Sequence, residues 1–286
     1  MEGIVRFYLR ITIFDLRHYS WTQTIFSRIK TFEYKICGSL ESRKSSFVNR
    51  NFLLLLHFIQ RSNHPLYQKF MHTLDLVAPT TQELVAVGLQ LPIMEAFYTI
   101  QGEGRFTGHP AYFIRLGGCD VGCVWCDVKE SWEAANWPVL SIEQIVDEAL
   151  AFPGRLVVIT GGEPLMYNLD PLTKLLKEKG FTTNIETSGA HPFSGDFDWV
   201  CFSPKKFKKP HPSIYAEADE LKVVIYNKSD FAFAEEHAML VKSGCELRLQ
   251  PEWSKAAKFT PEVIDYVKNH PTWKISLQTH KFMDIP

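Results

Sequence analysis

Residues 141–187, SIEQIVDEALAFPGRLVVITGGEPLMYNLDPLTKLLKEKGFTTNIET, decide the fold. Ser141 with Gln144 three residues later forms a capping box, which starts a helix running to about Phe152. Residues 156–160, LVVIT, are short, apolar and β-branched, the composition of a strand buried on both faces. Asp170 and Pro171 open a second helix, because proline lacks an N–H that a first turn would leave unused, and Gly180 closes it. Another strand follows over 181–187. Helix, strand, helix, strand with short connections predicts parallel strands joined by crossover helices.

The same alternation extends both ways. Residues 111–116, 199–203, 221–226, 246–250 and 273–279 read as further strands. Ser229 is expected to cap a helix ended by Gly244, and Thr260-Pro261 to start the last helix. About seven strands alternating with helices predict an α/β domain around a mainly parallel sheet, and periodicity does not say whether that sheet closes. The unusual polar residues follow strands: Cys119 to Cys126, Gly161-Gly162-Glu163, Glu186-Thr187-Ser188, Ser203-Pro204-Lys205 and Gln250-Pro251. That edge takes ligands in open sheets and barrels alike, so one shared site is expected.

Composition narrows the function classes. The 286 residues carry a net charge of −1 and 22% charged side chains, so no global bias toward nucleic acid or anionic membrane exists. The longest apolar run, 52–59, is interrupted by His57 and is far short of the roughly 20 residues a spanning helix needs. No secretory signal precedes it, and a cytoplasmic, reducing compartment is the expectation. Residues 1–90 hold 11 basic against 6 acidic residues, whereas 91–286 hold 20 against 26. The chain therefore divides into an N-terminal extension of unassigned structure, 1–90, and a catalytic domain, 91–286. The first seventy residues show no defensible period and read as a leader with a true start at Met71 or later, or else as a basic arm for RNA or a membrane surface.

Three of the six cysteines, Cys119, Cys123 and Cys126, fall within eight residues among Gly117, Gly118 and Gly122. In a reducing compartment that spacing reads as metal chemistry rather than disulfides. A structural zinc site wants four protein ligands, and His109 is the nearest fourth. A four-iron cluster on three thiolates leaves one iron open to a small molecule. Cys201 and Cys245, beside apolar strand residues, read as core.

The spacing Cys119-x3-Cys123-x2-Cys126 with Trp125, together with Thr160-Gly161-Gly162-Glu163-Pro164, resembles the radical S-adenosylmethionine superfamily. That resemblance implies a partly open β/α barrel, a [4Fe-4S] cluster on the three cysteines, and S-adenosylmethionine cleaved to a hydrogen-abstracting 5′-deoxyadenosyl radical. A narrower resemblance runs from about Leu91 to Pro286: MEAFYTIQGEG at 94–104, FIRLGGC at 113–119, IETSG at 185–189, SPK at 203–205, ELKVV at 220–224 and QTHK at 278–281 are similar to the 7-carboxy-7-deazaguanine synthases. It implies ring contraction of 6-carboxy-5,6,7,8-tetrahydropterin with loss of ammonia, in queuosine and related deazapurine synthesis.

By the same resemblance, Ile100, Gln101, Gly102, Arg115, Thr160 and the carboxylate of Pro286 would meet the substrate. Trp125, Cys126, Asp127, Gly162, Ser203, Pro204 and Lys205 would line the S-adenosylmethionine site with Gln250, Pro251, Glu252 and Trp253. Glu186 and His280 align with family motifs as catalytic candidates without an assigned proton. Each has a structural alternative: Gln101 a turn, Arg115 a partner for a structural carboxylate, Glu186 a cap or buried ion pair. Where relatives with a described Mg²⁺ site carry Thr after Cys-Asp, this chain has Val128, which offers a hard cation no oxygen. Mg²⁺ therefore stays open, held by Asp127, the substrate carboxylate and waters if at all. The resemblance also implies a reductant such as flavodoxin or ferredoxin and a homodimer, with no nucleic-acid or membrane partner. A glycyl-radical activase shares CxxxCxxC but needs no pterin pocket; the QGEG and QTHK segments favour the pterin reading over it. A zinc or iron–sulfur scaffold would need no GGEP-like segment.

Overall fold

The structure, a computed structural model, describes residues 79–286; the leader reading of residues 1–70 lies outside them. The compact unit runs Pro79–Pro286, so residues 79–90 belong to it rather than to the extension. Its first element is α1 (Thr81–Ala86), opened by a Thr80–Glu83 capping box. Nine strands form one sheet: β1 (Gln90–Ile100), β2 (Pro110–Leu116), β3 (Val139–Ser141), β4 (Leu156–Gly161), β5 (Thr182–Thr187), β6 (Trp199–Phe202), β7 (Glu220–Ile225), β8 (Glu246–Pro251) and β9 (Trp273–Ile275). Their order is β3-β1-β2-β4-β5-β6-β7-β8-β9. From β2 to β9 every neighbour is parallel, and these are the seven strands the sequence pattern predicts. β1 and β3 add an antiparallel edge that the pattern did not reveal. β3 and β9 do not pair, so the sheet is a partly open β/α arrangement rather than a closed barrel.

Strand parity sorts the side chains. Ile114 and Leu116, Val157 and Ile159, Leu221 and Val223 point into one buried core with the helices α2 (Ile142–Leu150) and α3 (Asp170–Glu178). α2 carries the predicted Ser141–Gln144 capping box and buries Ile142, Ile145, Val146 and Ala149. α3 begins at Asp170 with Pro171 in its first turn, and Gly180 follows it at φ +81°, which a side chain would resist.

Three expected boundaries shift. A short helix α4 (Ile214–Glu217) precedes β7, and α5 (Ser229–Ala238) ends well before Gly244. Ser229 is its first residue rather than its cap, since Asn227 Oδ1 accepts from Ser229 N at 3.0 Å. Helix α6 (Ala256–Asn269) starts ahead of Pro261, because Glu252 caps the preceding turn by accepting from the N–H groups of Ser254 and Lys255. Finally β9 stops at Ile275: the Ser276 hydroxyl donates to Gln250 Oε1 at 2.7 Å, and the chain leaves the sheet to form α7 (Thr279–Met283).

Candidate active site

The strand faces turned away from the core line a single cavity of about 270 Å³. Phe113 and Arg115 enter it from β2, Thr160 from β4, Glu186 from β5, Lys222 and Val224 from β7, and Gln250 from β8. One rule of alternation therefore gives both the apolar core and a charged interior.

At the carboxyl edge, Cys119, Cys123 and Cys126 line the cavity. Gly118 takes φ +101° and Gly122 φ +76°, so the loop turns where a side chain would strain it. Gly162 packs against this loop: a Cβ there would overlap Gly118 O and sit 2.8 Å from Cys119 Cβ. Burial pushes the Cys119 thiol up and the Cys123 thiol up to about 11, the latter against the opposing charge of Lys205. No three described His, Cys, Asp or Glu side chains converge as a mononuclear metal would require. Three thiols on one glycine-hinged loop lining the cavity match the donor set of a cluster whose irons bind separate thiolates. His109 is no fourth ligand, because it precedes β2 at the edge opposite Cys119, about 20 Å along a seven-residue strand.

Glu163 is fully buried and organises the same edge. It accepts from Leu165 N at 3.0 Å, Ser188 N at 2.8 Å and the hydroxyls of Thr187 and Ser188. Its own N–H donates to Gly118 O at 2.9 Å, tying the cysteine loop, the β4 loop and the end of β5 together. Lys205 Nζ donates to Ser203 Oγ at 2.5 Å and lies 5.5 Å from the centre of the Trp125 ring.

The open side of the sheet is laced by two segments. Thr279 donates to Gly102 O through both N–H and Oγ1 at 2.9 Å, and Gly104 N donates to Ser276 Oγ at 3.1 Å. Lys281 Nζ meets Asp127 Oδ2 at 2.9 Å and lies over Trp253, whose ring packs edge-on against Phe282. Between the segments lies a buried polar network. Gln101 Nε2 donates to Glu186 Oε1 at 2.9 Å, Lys222 Nζ to Glu186 Oε2 at 2.8 Å and also to Glu103, and Gln278 Nε2 to Glu103 Oε1 at 2.9 Å. Burial opposes the charge on Glu103, but Lys222 and the surrounding donors outweigh it and lower its carboxyl to about 2. Burial lowers the pKa of His280, which favours the neutral ring.

The Radical SAM superfamily profile matches residues 113–200. The chain is 55% identical over 205 residues to 7-carboxy-7-deazaguanine synthase of Flavobacterium psychrophilum, covering 72% of this chain and 97% of that protein. Identity to the Synechocystis synthase is 46%, covering 68% of this chain and 93% of that one. The chain belongs to the 7-carboxy-7-deazaguanine synthase family. The crystal structure of QueE from Escherichia coli superposes with a TM-score of 0.61 at 35% identity, covering 70% of this chain and 99% of that one.

Against that family, the six expected substrate residues, Ile100, Gln101, Gly102, Arg115, Thr160 and Pro286, all line the cavity, as do Glu186 and His280. So do Trp125, Cys126, Asp127, Gly162, Ser203, Lys205, Gln250, Glu252 and Trp253, whereas Pro204 and Pro251 do not. Arg115 is paired with Glu95, whose Oε1 accepts from Nε at 2.5 Å, the structural pairing its strand position allowed. Sequence reasoning gave no role to Glu103, Lys222 or Gln278. Lys222 did carry a signal: a cation between Leu221 and Val223 in an otherwise apolar strand, which is costly unless paired.

Proposed function

We propose that this protein contracts the ring of 6-carboxy-5,6,7,8-tetrahydropterin to 7-carboxy-7-deazaguanine with loss of ammonia, in queuosine and related deazapurine synthesis. One observation carries the reading: in a chain 55% identical to a named synthase, the three-cysteine loop, the GGEP-like segment, Arg115 and the chain terminus line one cavity.

Cys119, Cys123 and Cys126 would hold a [4Fe-4S] cluster, and Gly162 with Ser203 and Lys205 would border S-adenosylmethionine beside it. When bound, these groups supply radical hydrogen abstraction from the substrate. The protein's part is positioning. Arg115 presents a fork suited to a carboxylate, and the terminal carboxylate of Pro286 accepts from ring N–H groups. Gln101 fixes the Glu186 carboxylate, and His280, held neutral by burial, can accept or donate one hydrogen bond. The α7 strap limits water at the mouth through Lys281–Asp127 and Trp253–Phe282.

Further parts of the reading are a homodimer, a flavodoxin- or ferredoxin-type reductant and a reducing cytoplasmic location, the last in keeping with five described cysteines of which none forms a disulfide. Mg²⁺ has no threonine ligand at Val128, and Asp127 is already paired with Lys281.

The test is anaerobic. The chain is reconstituted with iron and sulfide, given reductant, S-adenosylmethionine and the pterin, and 5′-deoxyadenosine and deazapurine are measured by mass spectrometry. Formation of both, abolished by Cys123→Ala, is expected. Deoxyadenosine without deazapurine would reject this substrate, and absence of iron uptake would reject the cluster.

A further inference from the structure

Lys222 is 3% exposed on β7, between Leu221 and Val223 of the core. Its Nζ lies 2.8 Å from Glu186 Oε2 and also pairs with Glu103 Oε2. The far oxygens are held as well, Glu186 Oε1 by Gln101 and Glu103 Oε1 by Gln278, each at 2.9 Å. Gln101 Oε1 in turn accepts from Glu103 N at 3.0 Å. Each Glu186 oxygen thus has one donor and keeps a second lone pair, while Glu103 accepts from Gln250 as well. Glu186 is the more open of the two, with 22% of its side chain exposed against 14% for Glu103.

Two carboxylates share one cation, which leaves a net charge of −1 at the cavity wall. Glu220, Cys201 and Lys205 lie near enough to act on Lys222 through space, but none is in ion-pair contact with it. Glu220, on the same strand, meets Arg248 at 3.4 Å and Trp199 Nε1 at 3.3 Å. Lys205, after β6, donates to Ser203. Burial raises the Cys201 thiol on β6 and lowers His280 on the terminal segment, so both favour their neutral forms. Among the described residues, Lys222 is the cation in ion-pair contact with both carboxylates.

We propose that Lys222 is a positioning residue: by sharing its charge between Glu103 and Glu186 it keeps both ionised, so that the pair presents only acceptors to a substrate ring edge bearing N–H donors. This rests on the pterin reading, whose amino and ring N–H groups form such an edge. Without the cation, two carboxylates this close hold one proton between them. A protonated carboxyl then points a donor at a donor.

The experiment compares reconstituted wild-type holoenzyme with Lys222→Met and with Lys222→Met/Glu103→Gln. Two readouts are taken: the pH dependence of kcat/KM for deazapurine formation, and calorimetry of 7-carboxy-7-deazaguanine binding in buffers of different ionisation enthalpy. In Lys222→Met the acid limb is expected to move up by about one to two pH units, with up to about one more proton released to the buffer on product binding than in wild type. The double variant restores the net charge of −1 and is expected to return the limb toward wild type. Should Lys222→Met fail to fold, Glu103→Gln alone is used; Lys222 then serves Glu186 only, and the limb moves down. An unchanged limb in the folded single variant, or a double variant no better than the single one, overturns the inference. Wild-type protein that makes no deazapurine from the pterin overturns the functional reading instead, which separates the two failures.

Discussion

His280 lies across Gly102: a Cβ on residue 102 would come within 2.8 Å of the His280 Cβ and closer still to Nδ1. Gly102 O also accepts both hydrogen bonds from Thr279, so one residue sets the seat of the terminal segment. Gly102→Ala is expected to push His280 out of the cavity and to lower kcat/KM by at least about tenfold, a barrier change of roughly 1.4 kcal/mol. Pairing it with His280→Ala should recover thermal stability but not turnover. Steady-state kinetics and thermal unfolding of the three variants check this, and full activity in Gly102→Ala would remove the seat from the argument.

Glu163 should matter for stability and for the cofactor site together. Replacing it by Ala leaves the Ser188 and Leu165 N–H groups and two hydroxyls without their acceptor in a buried place. The cost is expected at about 2–5 kcal/mol, read by denaturant unfolding. Because Glu163 N also holds Gly118 O, calorimetry should show weaker S-adenosylmethionine binding by the reconstituted variant.

His237 is buried against Phe202 and Phe233, and its Nδ1 lies 2.9 Å from Tyr215 OH. Burial lowers its pKa in the folded chain. The unfolded chain therefore binds this proton first as pH falls, so stability is full above the ordinary histidine value of about 6.5 and declines below it. His237→Phe should flatten the fall in melting temperature between pH 6.5 and 5, both values being approximate bounds set by the ordinary histidine and carboxylate ranges. A slope equal to wild type in that window would assign the effect to other groups.

Val128 bears on magnesium. Its backbone O accepts from Ser131, its side chain lines the cavity without an oxygen, and neighbouring Asp127 is paired with Lys281. Turnover should respond weakly to Mg²⁺, and Val128→Thr should increase the response. Rates titrated with Mg²⁺ decide it: a large, saturable requirement in the unchanged chain contradicts the expectation.

The sequence by itself determined the elements whose signals are local. The Ser141–Gln144 cap, the apolar run in β4, Pro171 and Gly180 around α3, and the three cysteines between glycines each act within a few residues, so their meaning survives without the rest of the chain. A competing signal misleads in two ways: the nearby Glu252 cap starts α6 ahead of Pro261, and partners distant in sequence, Gln250 and Gly104, draw Ser276 out of β9. Only the tertiary structure brought Glu103, Glu186, Lys222 and Gln278 together, from a loop, two strands and the terminal segment. A buried charge is tolerable only with its partners in place, and those partners are chosen by sheet order and strand parity, which no window of sequence contains.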